Sequence, residues 1–134
     1  LEKLASDLGL DDMVRFPGFV SGREKVSLYQ AADVFALPTS QENFGFVLFE
    51  ALAAKTPVVT TRGADTWPEM EASGGSLVVD ADAESIADAI STLLDDPARR
   101  TAMGESGRAW VYDELTVDAV VQSYVDLYEG VRRG

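Results

Sequence analysis

The sequence contains neither cysteine nor histidine among its 134 residues. Without cysteine, disulfides and thiolate nucleophiles are excluded, and without histidine the commonest general base and metal ligand is absent. No apolar run approaches the roughly 20 residues that a membrane-spanning helix needs, so the sequence predicts no transmembrane segment. Any chemistry must therefore use carboxylates, hydroxyls, amines or backbone amides.

Basic residues are also scarce, because 11 Lys and Arg face 23 Asp and Glu, for a formal net charge of -12. A field of this sign repels phosphate backbones, so we expect no nucleic-acid partner. A basic stripe for anionic lipid is missing too, which leaves peripheral membrane contact to other parts of the protein. We expect a cytoplasmic protein.

Short apolar strands alternate with helices along the chain. The predicted strands cover residues 13–16, 34–37, 57–60 and 77–79. The predicted helices cover residues 1–9, 21–32, 45–54, 65–72 and 83–95, and two more begin at Pro97 and Thr116. This alternation predicts an α/β fold, part of a doubly wound, Rossmann-like parallel sheet with helices on both faces. Such sheets usually have about five or six strands, so we expect the remaining strands before residue 1.

Several helix starts are marked by local signals. Ser21 and Glu24 have the spacing of a capping box, the segment Asp80-Ala81-Asp82 looks like a helix cap, and Thr116 is expected to cap the last helix. Asp96 precedes a proline, a combination typical of a helix beginning. These signals place the helix boundaries independently of any tertiary contact.

The segment from Pro38 to Thr60 has the pattern of a ligand site. It begins at the carboxyl end of strand 34–37, whose continuous apolar run predicts burial on both faces. Open α/β sheets bind their ligands at this end of their strands. Its polar loop, residues 39–45, leads directly into a helix whose first amide groups lack partners and carry the positive end of the helix dipole. This arrangement favours an anion such as phosphate, and Gly45 would allow close approach to the backbone.

The helix that follows is apolar on all sides except at Glu50. Asn43, Phe46 and Glu50 share one stripe at 100° per residue, so Glu50 is expected to face the ligand of the loop. A carboxylate there suits two vicinal hydroxyls, as on a ribose. Two structural explanations compete: Glu42 complements the helix dipole, or Glu50 pairs with an arginine. Taken together with Gly45 and the strand-loop-helix context, the binding interpretation is favoured.

The stretch ENFGFVLFEALAA-x-TPVV, with Glu42 and Glu50 separated by seven residues, resembles the signature of retaining glycosyltransferases of the GT-B fold, the glycosyl transferases group 1. VRFPGFVS, LYQAADVFALP, the pair Pro68-Glu69 and LLDDPARR stand in family order. The resemblance covers nearly the whole chain. It implies a partial C-terminal, nucleotide-sugar-binding domain over residues 1–134.

The resemblance also implies roles for individual residues. Glu42 would contact the donor sugar in the catalytic site, and Glu50 would hold the ribose hydroxyls. Sugar hydroxyls and phosphate would contact the amides of Asn43, Phe44, Gly45 and Phe46. The nucleotide base would rest beside Val20 and Lys25, although Lys25 can also be read as a solvated helix charge.

By the same resemblance, the diphosphate-clamping Arg and Lys and the acceptor-binding domain belong to an N-terminal part outside this sequence, so these residues alone should be inactive. We expect no cofactor and no metal, because no Asp-x-Asp follows a strand except Asp80-Ala81-Asp82, which looks like a helix cap. The partners implied are a nucleotide-diphosphate sugar and an acceptor.

Two other classes compete with the glycosyltransferase interpretation. A receiver-like signalling module has similar size and βα order, but the aspartate that it needs at a strand end is absent after Leu37 and Thr60. A non-catalytic nucleotide-binding protein with this fold is opposed, though not excluded, by the intact pair Glu42 and Glu50. A dinucleotide-binding dehydrogenase is excluded, since no G-x-G-x-x-G follows a strand.

One prediction concerns the edge of the sheet. In the family order, strands outside this sequence separate residues 14–16 from residues 34–37. We therefore expect strand 14–16 to stand apart by about 10 Å more than a neighbour would, leaving an edge of strand 34–37 open.

Overall fold

The computed structural model of the protein describes residues 1–133. Within them lie three strands and seven helices. The strands are β1 (Phe35–Leu37), β2 (Val58–Thr61) and β3 (Ser76–Val79), and the helices are α1 (Glu2–Asp7), α2 (Gly22–Ala31), α3 (Phe46–Ala53), α4 (Trp67–Ala72), α5 (Ala83–Asp95), α6 (Pro97–Glu114) and α7 (Val117–Arg133). None of these helices combines the length and apolarity that crossing a bilayer requires.

The three strands form one parallel sheet in the order β1-β2-β3. Phe35 pairs with Val58 and Leu37 with Thr60, while Val58 also pairs with Ser76. Because the strands are parallel, their carboxyl ends meet at one edge, and the loops that follow β1 and β2 are neighbours there. The predicted α/β class with a parallel sheet is confirmed.

Side chains on the two faces of the sheet belong to two separate cores. On one face, Val58 packs with α3, with Tyr29 of α2 and with Met70 of α4. On the other face, Val59 packs with Leu93 of α5 and Met103 of α6. The alternation of neighbouring valines between the faces follows from the two-residue period of a strand. Helices therefore cover both faces, as predicted.

The predicted strand at residues 13–16 is wrong. The amide groups of Met13 and Val14 both donate to the carbonyl oxygen of Leu10, at 2.9 and 3.0 Å, so the chain turns back on the end of α1. Residues 14–16 form no strand, and the described residues contain three strands rather than four. A short extended segment is stabilised by a neighbouring strand, and no strand of residues 1–133 pairs with it.

The open edge of the sheet is confirmed, because β1 is an outer strand that pairs only with β2 within residues 1–133. The expectation that residues 34–37 are buried on both faces is wrong. Ala36 is exposed, and Phe35 and Leu37 are half-buried. A strand with one neighbour is left uncovered along its free side, which explains this exposure.

Most of the predicted helix caps are present. The side chain of Asp82 accepts a hydrogen bond from the amide of Ser85 at 2.8 Å. Asp96 caps α6 through the amide of Arg99 at 2.9 Å, and the Thr116 hydroxyl accepts from the amide of Ala119 at 3.1 Å. Ser21 occupies the N-cap position of α2 but makes no side-chain cap hydrogen bond, so the predicted capping box does not form.

Candidate functional site

The site is built from two loops that follow β1 and β2 at the carboxyl edge of the sheet. The amide of Glu42 donates to the carbonyl of Gly63, and the amide of Asp65 donates to the carbonyl of Glu42, both at 2.8 Å. The hydroxyl of Thr66 donates to the carbonyl of Phe44 at 2.9 Å. These three bonds hold the loop at residues 38–45 against the loop at residues 62–66.

The base of the first loop depends on threonines that end β2. The amide of Thr39 donates to Thr61 Oγ1 at 3.2 Å, and the Thr61 hydroxyl donates back to the carbonyl of Thr39. Thr60 Oγ1 donates to the carbonyl of Leu37 at 3.0 Å. Both β2 threonines are fully buried. Their hydroxyls bond to the backbone groups of Leu37 and Thr39 at the point where the hydrogen bonding between β1 and β2 ends. Sequence reasoning missed them.

Gly63 lets the two loops meet backbone to backbone. A Cβ at this position would overlap the carbonyl oxygen of Thr39, so no larger residue fits without displacing the first loop. Nothing in the residue pattern around Gly63 marks this close approach, which depends on a contact across 24 positions.

Glu42 is half-buried at the entrance to α3. Its Oε1 accepts from the amide of Gly45 at 3.2 Å, while its Oε2 has no hydrogen-bond partner in the described part of the chain. The carboxylate thus lies at the positive end of α3, as the dipole explanation requires, and still has one oxygen available.

Gly45 begins α3 in the left-handed conformation, with φ 66°. A Cβ here would lie 2.9 Å from Leu48 Cδ1, so glycine serves the turn into the helix. Its amide is already used by Glu42, and the residue is buried. The expectation that the missing side chain opens the backbone to a ligand therefore does not describe this residue.

Unpaired backbone amides surround this turn, as predicted. Across residues 1–133, the amides with no protein acceptor include those of Asn43, Phe44, Phe46 and Val47. Asn43 is exposed, and the residues Phe44 and Phe46 are 42% and 71% exposed, with their ring centroids 4.5 Å apart. The loop therefore presents several donors at a helix N-terminus, beside two accessible aromatic rings.

Glu50 lies four residues beyond Phe46, about 6 Å further along α3. Its Oε1 accepts from Lys25 Nζ at 2.8 Å, and its Oε2 accepts from the Tyr29 hydroxyl at 3.1 Å. Both partners come from α2, where residues four apart share one face. The competing explanation predicted that Glu50 pairs with an arginine. Glu50 does pair with a basic residue, but that residue is Lys25 and not an arginine.

Burial, together with the hydrogen bond to Glu50 and the charge of Glu50, raises the pKa of Tyr29 to about 12. The Tyr29 hydroxyl is therefore protonated over the physiological range and donates to the carboxylate. Sequence reasoning missed Tyr29. Its spacing of four residues from Lys25 is the signal that could have found it.

The structure places Lys25 on Glu50 and not free in solvent. Val20 is half-buried in the segment that enters α2 at Gly22. A cleft of about 410 Å³ opens beside Glu50, and its lining includes Lys25, Tyr29, Arg108 and Tyr112. Of the two residues predicted for the base, Lys25 therefore lies beside the residue predicted for the ribose, whereas Val20 does not line this cleft.

Comparison with known proteins assigns the chain to a family. The sequence profile described as Glycosyl transferases group 1 matches residues 1–110. This chain belongs to that family. The D-inositol 3-phosphate glycosyltransferase of Corynebacterium urealyticum is 46% identical over 106 residues, covering 78% of this chain and 25% of its own length.

A second relative is the GDP-mannose-dependent alpha-(1-6)-phosphatidylinositol monomannoside mannosyltransferase of Mycobacterium tuberculosis. It is 35% identical over 138 residues, covering 97% of this chain and 36% of its own length. The sucrose-phosphate synthase of Thermosynechococcus elongatus superposes with a TM-score of 0.81 at 30% identity, over 98% of this chain and 33% of its own. The chain thus spans about a quarter to a third of these relatives, and its fold is that of their GT-B domains.

Proposed function

We propose that the chain is the donor-binding part of a retaining glycosyltransferase, which transfers a sugar from a nucleotide-diphosphate sugar to an acceptor. The observation that carries the proposal is the row of unpaired amides at the N-terminus of α3, between Glu42 and Glu50. Helix N-termini bind phosphate through their free amides and the positive end of the dipole. In this arrangement Glu42 and Glu50 lie on either side of the phosphate site, where their carboxylates can accept hydrogen bonds from the hydroxyls of the donor.

In this proposal the diphosphate and sugar hydroxyls contact the amides of Asn43, Phe44 and Phe46, while Gly45 supports the turn through its bond to Glu42. The available Oε2 of Glu42 accepts from the donor sugar. Glu50 accepts from the ribose. The base lies toward Val20 and Lys25, where α2 begins. Retention of configuration is proposed only from the resemblance of the stretch containing Glu42 and Glu50 to the signature of retaining enzymes.

The names of the relatives agree on the class of reaction and differ in the acceptor. One names D-inositol 3-phosphate, another a phosphatidylinositol monomannoside with GDP-mannose as donor. We therefore propose a nucleotide sugar as donor and leave the base, sugar and acceptor open, with the acceptor bound by the rest of the protein. The family match sets the receiver interpretation aside. A cytoplasmic location stays a prediction.

The proposal is tested with a thermal-shift panel of UDP, GDP and ADP sugars on the full-length protein. A ligand present at 100 times its Kd stabilises the folded state by about 2.7 kcal/mol, so at least one donor should raise Tm by several degrees. NMR of the product with a competent acceptor should then show the donor's anomeric configuration. A panel without any shift refutes donor binding, whereas binding without transfer to any acceptor favours the non-catalytic class.

We also predict that the reaction requires no divalent metal. Magnesium in such sites is held by carboxylates together with substrate phosphates, whereas here backbone amides are proposed to take the phosphates. Within residues 1–133, acidic side chains form no group of three or more suited to a metal ion. The transfer rate in EDTA should equal the rate in magnesium. Activity that EDTA abolishes and magnesium restores would contradict the prediction.

A further inference from the structure

Tyr29 is anchored in the core beside Glu50. The residue is only 7% exposed and belongs to the core beneath α3. Its ring packs edge-on against Phe35, with centroids 5.3 Å apart. Its own carbonyl accepts from the buried hydroxyl of Thr56 at 2.6 Å. The hydroxyl of Tyr29 is thus held at one point, 3.1 Å from Glu50 Oε2.

Lys25 contacts the same carboxylate from a more solvent-exposed position than Tyr29. The side chains of Lys25 and Glu50 are 35% and 39% exposed, and the ammonium lies 2.8 Å from Oε1. An ion pair with this much solvent exposure is only weakly favourable, because water screens both charges and the lysine side chain is flexible. Lys25 can therefore leave Oε1 when a ligand hydroxyl arrives, whereas the buried tyrosine cannot move away.

We propose that Tyr29 is a positioning residue, which fixes the Glu50 carboxylate through Oε2 so that Oε1 faces the ribose of the donor. The inference rests on the proposed function, which assigns the ribose to Glu50. A carboxylate on a free side chain must be ordered before it accepts hydroxyls, and ordering costs conformational entropy. The hydrogen bond from Tyr29 supplies that order in advance, because its donor is anchored in the core.

The protonation of Tyr29 agrees with this role. Since burial and the neighbouring carboxylate raise the pKa of Tyr29 to about 12, its hydroxyl keeps its proton at neutral pH and can donate to Glu50.

The experiment measures how strongly the ribose hydroxyl is recognised. Binding of UDP, GDP and ADP to the full-length protein is compared by calorimetry with binding of the corresponding 2′-deoxy nucleotides. For the best nucleotide, we expect the wild type to prefer the ribo form on the order of tenfold, as a hydrogen bond to a charged group implies. Tyr29→Phe should reduce this preference to roughly threefold or less, since the carboxylate is no longer ordered.

Three control variants accompany Tyr29→Phe. Glu50→Gln should remove most of the preference, because its amide oxygen is a weaker acceptor than a carboxylate and its NH2 group cannot accept. Lys25→Met should retain or increase the preference, because the ribose hydroxyl no longer has to displace an ammonium from Oε1, and any effect on the base or diphosphate acts on both nucleotide forms alike. Leu93→Val removes one methylene from the core on the opposite face of the sheet, away from Tyr29, and should lower Tm while the ratio stays at the wild-type value. The ratio therefore separates positioning from a loss of packing.

Each outcome has a definite meaning. Loss of the preference in Tyr29→Phe and Glu50→Gln, with retention in Lys25→Met and Leu93→Val, supports the proposal. Retention in Tyr29→Phe with loss in Glu50→Gln overturns the role of Tyr29 and leaves the ribose assignment standing. Retention in Glu50→Gln overturns both. Equal losses in Tyr29→Phe and Lys25→Met overturn the assignment to Tyr29 alone.

Discussion

Replacing Glu50 by alanine in the full-length protein is expected to weaken binding of the donor nucleotide at least tenfold, or about 1.4 kcal/mol. The substitution removes the proposed ribose acceptor. It also leaves the hydroxyl of Tyr29 and the ammonium of Lys25 without their carboxylate partner at the edge of the cleft. Isothermal titration calorimetry with the nucleotide that gives the largest thermal shift measures the effect directly.

Glu105→Ala is the matched control for this change. Glu105 is also a helical carboxylate paired with a lysine, but its bond to Lys55 is 3.6 Å long and both side chains are largely exposed. Removing it lowers the negative charge by the same amount without touching Glu50. The control should bind the donor like the wild type. An unchanged affinity in Glu50→Ala would refute the ribose assignment.

Gly63→Ala is expected to disrupt the site without altering any group that contacts the donor. The new Cβ would overlap the carbonyl of Thr39, so the two loops must separate. That separation weakens the bonds from Glu42 to Gly63 and from Asp65 to Glu42. Overpacking of this kind costs about 1–3 kcal/mol, and the displaced amides should also lose most of the affinity for the donor.

Thermal unfolding and donor titration of Gly63→Ala measure both effects, and Gly130→Ala is the control. Gly130 lies in exposed α7, where an added Cβ meets no atom within 4 Å. Alanine there should leave binding unchanged and stabilise the helix slightly, because it is the better helix former. If Gly63→Ala has the Tm and the donor affinity of the wild type, the contact between the loops does not maintain the site.

Predictions that depend on local chemistry were the accurate ones. Caps within residues 80–82, at Asp96 and at Thr116 are predicted from residue types that favour helix N-caps, and the bonds of Asp82, Asp96 and Thr116 are all present. The strand-loop-helix order around Glu42 and the free amides of the loop are likewise predicted from the local sequence. Ser21 shows the limit of local signals, since the N-cap position is right and the predicted side-chain bond is absent.

Predictions that required a partner distant in sequence were the ones that failed or were missed. Residues 13–16 have an apolar, extended pattern, but no strand among residues 1–133 pairs with them, so they form a turn on Leu10. The burial expected for β1 failed because that strand has one neighbour only.

The sequence by itself determined the α/β order, the helix caps and the loop of unpaired amides between Glu42 and Glu50, because each of these depends on residues within one or two helical turns. Only the tertiary structure decided what surrounds them. It brings Tyr29 to Glu50 across 21 positions, and Gly63 to Thr39 across 24. The physical reason is that sheet pairing and helix packing set such distances, and no spacing along the chain encodes them.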